Sequence, residues 1–307
     1  MKKIIIVVAA LLGAFIWTGC QREELIDDSF NPEVSVKADS VWTISLKAMK
    51  GSPTTKAISI GDGQTEYETT DLESVWGWDD VVKVYLGTTC IGTLLAAPDP
   101  SDSHYAVLSG TVTARDIIAG TTRLSFICPS ETLDYTGQTG RFNVLSNFTY
   151  TMAQDVLVTD TFASNIGTET AYFVPLQSIY RMSFRFQKGG EGAKTGISAK
   201  MVTVSGANGH LVQNQGMFDA SLTEGDIIIE MDSGTLDPVF VALRNGDETN
   251  AEVFTFTVID GDGASYRGTK TIPAGYKANG SFVSMKNATL TSRMEMPLSA
   301  TTVDTVL

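Results

Sequence analysis

The sequence predicts an all-β protein. Apolar and polar residues alternate in run after run, the period-2 pattern of half-buried strands. Thr, Val and Ser, which suit strands and turns, recur along the whole chain. Its 28 glycines, with repeated Asn-Gly and Asp-Gly steps, supply residues that tolerate φ > 0 in tight turns. Helical signal is poor, and its best candidate, Val112 to Ile118, is a short turn at most.

The first segment is an address. Lys2 and Lys3 precede an apolar run of about fourteen residues, Ile4 to Trp17. A spanning helix needs roughly 20 apolar residues, so this run reads as a secretory signal over residues 1–19. Thr18-Gly19-Cys20 directly follows it and resembles a lipobox, which makes Cys20 the expected lipidation site, carrying palmitate-type chains. Several acyl chains, at about 0.8 kcal/mol per buried methylene, hold a protein stably on a membrane. Gln21-Arg22-Glu23-Glu24 resembles the surface-export signal of certain Gram-negative lipoproteins. The polar stretch up to residue 40 then serves as a linker.

The strands follow in order. Val41 to Ala48 alternates cleanly, and Val81 to Leu86 is ended by Gly87. Tyr105 to Val112 and Arg123 to Ile127 are bounded by turn residues. Asp155 to Thr159 and Thr170 to Val174 are shorter, and Ser178 to Gln187 alternates through Ile179, Met182, Phe184 and Phe186. Ala199 to Val204, Asp226 to Met231, Pro238 to Leu243 and Val253 to Ile259 come next. Gly268 to Thr271 and Ser281 to Leu290 complete the set. Asn208-Gly209, Asn245-Gly246, Asp260-Gly261 and Asp262-Gly263 have hairpin-turn chemistry. So many short strands imply sandwiches or barrels.

A chain of 307 residues suggests two domains at roughly 150 residues each. Pro175 closes one strand set just before another opens. The expected organisation is therefore 41–175 and 176–291 as two β domains, with a tail at 292–307. Lys and Arg number 22 against 35 Asp and Glu, a net charge of −13, which argues against nucleic acid as a partner. Cys90 and Cys128 lie in strand-like runs. An oxidising compartment allows a disulfide, and burial in strands favours two free thiols.

Chemistry-bearing motifs are weak. Gly189 to Thr195 resembles a phosphate loop, but Ala193 replaces the glycine before the lysine and a strand follows instead of a helix. Only two histidines, His104 and His210, are present, and there is no His-Glu-x-x-His, Cys-x-x-Cys or Gly-x-Ser-x-Gly. No catalytic site, metal site or cofactor is expected. Asp79-Asp80 and Asp260/Asp262 are candidate calcium ligands, with solvated turn acids favoured. Trp76 and Trp78, at i and i+2, would share a face in an extended segment and are candidate glycan contacts, with Tyr85 nearby, although packing is favoured.

Taken in order, these residues resemble the fimbrillin family, the Mfa-like and FimA-like lipoprotein subunits of type V pili. The resemblance runs through Cys20, the strand at Val41 to Ala48, and Thr54-Thr55-Lys56-Ala57 in place of a Thr-Arg-Ala step. It continues through Trp78 to Val84, Arg123 to Pro129, Tyr180 to Phe186 and Val202 to Gly206. Gly216 to Asp219 and Ile272 to Tyr276 close it. The family implies two transthyretin-like Greek-key β-sandwich domains in tandem and export to the cell outer membrane. It also implies proteolytic removal of the first strand, so that a neighbouring subunit's strand enters the vacated groove. The protease of the family is arginine-specific, and no arginine lies between Arg22 and Arg115. Lys50 and Lys56 are therefore the candidate processing sites; otherwise the strand stays and Cys20 remains an anchor.

The expected function is a non-enzymatic surface lipoprotein, a pilus subunit or anchor acting in adhesion, incorporated in fimbriae and meeting a host or bacterial surface ligand. The alternative is a surface glycan-binding lipoprotein of a carbohydrate uptake system.

Overall fold

The computed structural model describes residues 39–51, 67–71, 74–188, 192–206, 211–244, 251–272 and 280–294. These lie within the compact unit Ala38–Leu307. In chain order the strands begin with β1 (Ser40–Lys50), β2 (Tyr67–Asp71), β3 (Val81–Leu86), β4 (Thr89–Pro98) and β5 (Tyr105–Ala114). Next are β6 (Arg123–Cys128), β7 (Thr132–Asp134), β8 (Thr151–Phe162), β9 (Asn165–Thr168) and β10 (Ala171–Pro175). Then come β11 (Ser178–Phe186), β12 (Thr195–Gly196), β13 (Ala199–Gly206), β14 (Val212–Gly216) and β15 (Leu222–Glu224). The last are β16 (Ile227–Thr235), β17 (Val239–Leu243), β18 (Glu252–Asp260), β19 (Ser265–Ile272), β20 (Ser281–Leu290) and β21 (Ser292–Met294). The protein is all-β, and every run the sequence marks as a strand forms one.

The longest strand the sequence hides is β4. Ile91, Leu94, Ala96 and Pro98 are buried while Leu95 faces solvent. The run Leu94-Leu95-Ala96-Ala97 is apolar on both faces, so the period of two disappears. Val112 to Ile118, a short turn at most by its sequence, is not helical: Val112 to Ala114 extend β5 and a bend follows at Arg115. A 3-10 helix spans Phe142–Phe148.

The first sheet closes on itself. Its order is β10-β1-β5-β4-β3-β6-β8-β9, and its ends meet again because β10 pairs with β8 and β9 pairs with β1. Such closure removes exposed edges. It also demands bending, and two glycines meet that demand. Gly110 lies opposite Leu94 on one side and Ile44 on the other. A Cβ at Gly110 would stand 2.4 Å from the Thr93 carbonyl oxygen, and one at Gly92 would stand 2.4 Å from that of Thr111. Glycine inside a strand marks such a close backbone approach.

Two further sheets face each other. One has the order β12-β11-β20-β2, with β17 also on β11; the other is β16-β13-β18-β19-β21. Their inner faces meet through aromatic rings. Tyr180 lies 6.0 Å from Phe254, Phe184 5.8 Å from Phe256, and Phe186 5.3 Å from Tyr266, all between centroids. Tilted and edge-on pairs of this kind add roughly 0.5–1.5 kcal/mol beyond their burial. A small sheet, β15-β14-β7, joins a strand of the first half to two of the second.

Two apolar cores result. One is drawn from Ile44 to Phe173 and fills the closed sheet. The other runs mainly from Leu176 to Leu290, with Tyr85, Ile127, Leu133, Tyr135, Leu145, Tyr150 and Met152 added from earlier in the chain. Buried glutamines stitch the two parts of the chain together. Gln177 Oε1 accepts from the Tyr150 amide at 2.8 Å, and Gln138 exchanges two hydrogen bonds with the Ala242 backbone. A buried amide group left unpaired costs about 1–3 kcal/mol, and Gln177 Nε2 is one that has no hydrogen-bond partner among the described residues.

Candidate functional site

The site that the fold builds is the slot occupied by β1. On one edge β1 runs antiparallel to β5 in unbroken register from Ser40↔Ala114 to Met49↔Tyr105. On the other edge it runs parallel to β9 at Thr43 and Ile44, and parallel to β10 from Ala48 to Lys50. The Thr43 amide donates to the Ser164 carbonyl at 2.7 Å, and the Gly51 amide to that of Phe173 at 3.0 Å. β1 is thus the stave that closes the sheet between β5 and the β9–β10 edge.

Alternation sets which side chains fill the slot. Ile44, Leu46 and Ala48 point into the core and are buried, whereas Ser45 and Lys47 are exposed. Ala48 sits between Ala106 and Ala171, all three buried. Any larger residue there has to push core atoms aside, at about 1–3 kcal/mol. Near the other end of β1 the Trp42 indole N–H donates to the Ala114 carbonyl at 3.2 Å.

Lys50 is the fourth buried residue of β1 and ends the strand in a built receptor. Its ammonium is 2.5 Å from Asp80 Oδ2 and donates to the Val75 carbonyl at 3.2 Å. It also stands over the Trp76 ring, 4.2 Å from the centroid. A carboxylate, a carbonyl and an aromatic face each attract a cation. Asp80 is held in place by the Gly77 amide at 3.0 Å, and Trp76 by edge contact with Phe173 at 4.9 Å. A cavity of about 420 Å³ adjoins this end, lined by Lys50, Asp80, Cys128, Thr151, Gln177 and Ile179 among others.

The other residues picked from the sequence fall as follows. Trp76 is buried and Trp78 is 70% exposed, so the two do not share a face. Tyr85 is also buried and stacks on Phe218 at 3.6 Å. Burial, with Glu131 and then Cys90 nearby, pushes the Tyr85 phenol up to about 12. Asp80, one of the acids expected to be solvated, is the partner of Lys50, while Asp79 is exposed. Sequence reasoning missed this pairing; the clue was a lysine continuing the buried parity of β1. Asp260 caps its own turn, accepting from the Asp262 and Ala264 amides at 3.0 and 2.9 Å and from the Tyr266 hydroxyl at 3.0 Å. His104 bonds Asp102 at 2.8 Å on the surface, and this bond holds the Asp102 carboxyl below its usual range. Among the described residues no three His, Cys, Asp or Glu side chains gather as a metal site.

Cys90 and Cys128 are both free thiols, one exposed and one buried. Burial pushes Cys128 up to about 11. Cys20, Lys56, His210, Gly189 to Glu191, the two Asn-Gly turns and the tail beyond Met294 lie outside the described residues.

No family model and no curated protein sequence matches this chain. Among solved structures it is similar to a fimbrial protein from Bacteroides ovatus ATCC 8483, at 8% identity and a TM-score of 0.35, over 83% of this chain and 50% of that one. This chain therefore spans about half the length of that protein. It is similar to a proposed cell adhesion protein from Bacteroides fragilis NCTC 9343, at 10% identity and a TM-score of 0.35, over 82% of this chain and 95% of that one. A proposed cell adhesion protein from Bacteroides uniformis ATCC 8492 gives 12% identity and a TM-score of 0.34, over 74% and 84%. At such identities and TM-scores the likeness says nothing of what this chain binds.

Proposed function

We propose that the chain is a non-enzymatic cell-surface lipoprotein, a fimbrillin-like pilus subunit or anchor that assembles by β-strand addition. One observation carries the reading: β1, the first of the described strands, is a single stave bonded on both edges in a sheet that is otherwise complete. Taking it away leaves two rows of unpaired backbone groups, on β5 and on β9–β10, flanking a slot with alternating pockets. Such a slot takes up an extended strand through main-chain hydrogen bonds, with specificity from alternate side chains. Keeping β1 in place until assembly protects those edges from aggregation. In this reading the leader and Cys20 give the outer-membrane anchor, and the chain is organised as two tandem domains divided near Pro175.

Of the two candidate processing sites, Lys50 is buried in its ion pair, and the Gly51 amide is hydrogen-bonded to Phe173. A protease needs an extended, accessible segment, so the reading favours cleavage after Lys56. Mass spectrometry of protein shed from the cell surface tests it. A mature chain beginning at Ala57 that forms filaments is the expected result. An acylated Cys20 retained on the chain fits the anchor role. Purified protein that binds polysaccharide and never enters filaments would overturn the reading in favour of a glycan-binding lipoprotein, whose exposed aromatic would be Trp78.

A further inference from the structure

We infer that the Lys50 end of the slot selects its occupant by charge: a strand that takes the place of β1 must bring a lysine or arginine to that position. This rests on the strand-addition reading and goes on to name the partner's chemistry. Asp80, Val75 and Trp76 all lie on the segment leading into β3, so they stay with the slot when β1 leaves. All three offer negative charge or electron density, and none offers a donor to the position of the ammonium. The Asp80 side chain is only 28% exposed beside a Trp76 that is 3% exposed. An uncharged occupant would leave that part-buried carboxylate without its cation, with the Gly77 amide as its remaining hydrogen-bond partner among the described residues. Removing one partner of an ion pair shielded from water is costly, and Lys50 is the shielded member of this pair. The cavity beside Lys50 leaves room for a guanidinium, so arginine serves as well as lysine.

The receptor also fixes register. A slip of one residue turns every inward side chain outward. A slip of two brings the basic group to the position of Ala48, between the buried alanines Ala106 and Ala171. In the direction of β1, the occupant therefore reads inward as aliphatic, aliphatic, small, basic, on alternate residues. Residues 295–307 contain no lysine or arginine. They do not meet the requirement, so the occupant is a lysine- or arginine-bearing strand other than this stretch of a second copy.

The full chain with a specific endoprotease site in place of Thr54–Ala57 tests this. Once cut there, β1 is held by non-covalent contacts alone. Fluorescent peptides are added in excess and uptake is read on native gels. The native Ser40–Gly51 peptide and its Lys50→Arg form are expected to enter. The Lys50→Gln form should enter at least about tenfold less well. In an Asp80→Asn chain the native and Lys50→Gln peptides should differ by less than about twofold. Equal uptake of native and Lys50→Gln peptides by the unsubstituted slot overturns the charge selection while leaving strand addition standing. So does uptake of a 295–307 peptide as good as the native one. No uptake of any peptide overturns strand addition, and the selection falls with it.

Discussion

Truncating Ile44 to alanine tests whether β1 is an integral stave of the closed sheet. Ile44 has no exposed surface and lies between Gly110 of β5 and Ile166 of β9. Three carbons leave a site whose neighbours on both sides are strands in ladder register, so the backbone has little freedom to close over the void. Buried isoleucine to alanine costs about 2–5 kcal/mol. In a chain of this size each kcal/mol lowers Tm by roughly 2–4 °C, which gives a fall on the order of 10 °C. The next residue is the control. Ser45 points to solvent, and Ser45→Ala should stay within about 0.5 kcal/mol of the parent. Thermal melts followed by circular dichroism compare the three proteins. Equal melting points for Ile44→Ala and Ser45→Ala would refute the placement of β1, because a frayed or solvated strand cannot distinguish its two faces.

Three more outcomes follow from the same coordinates. A maleimide at neutral pH should label Cys90 in the folded protein and reach Cys128 only after denaturation, as counted by intact mass. Labelling of both in the folded state would contradict the burial and raised pKa of Cys128. Tyr85 is pushed up to about 12 by burial, and burial also raises Tyr135 and Tyr150. Each phenol therefore keeps its proton longer folded than unfolded, so stability is intact below the ordinary value of 10.0 and falls as pH rises through about 12. Urea midpoints that stay constant from pH 9 to 12 would sink that expectation. Gly110→Val should prevent closure of the first sheet, since even a single Cβ meets a backbone oxygen at 2.4 Å; soluble expression at parental level would speak against it.

The alternation of Val41 to Ala48 was enough to make β1 a strand and to assign Ile44, Leu46 and Ala48 to one buried face. That is local physics: with a side-chain period of two, composition alone tells the two faces apart. Where both faces are apolar, as at Leu94 to Ala97, or where a strand is only a few residues long, as in β7 and β15, the same reasoning has no purchase. Trp76 and Trp78 show a related limit. Their spacing suggests a shared face, but the chain between them turns, and one ring packs against Phe173 while the other meets solvent.

The sequence by itself determined the all-β class and the positions of most of the longer strands. These depend on neighbours along the chain. Only the tertiary structure decided that β1 closes a sheet between β5 and β9–β10, and that Lys50 is a buried cation. Asp80 lies 30 positions from Lys50 in sequence. Trp76, the Val75 carbonyl and the Asp80 carboxylate converge on one ammonium only because β1 lies in register in the sheet that leads, through β5 and β4, to β3. No period or motif along the chain encodes a contact made across three intervening strand pairings.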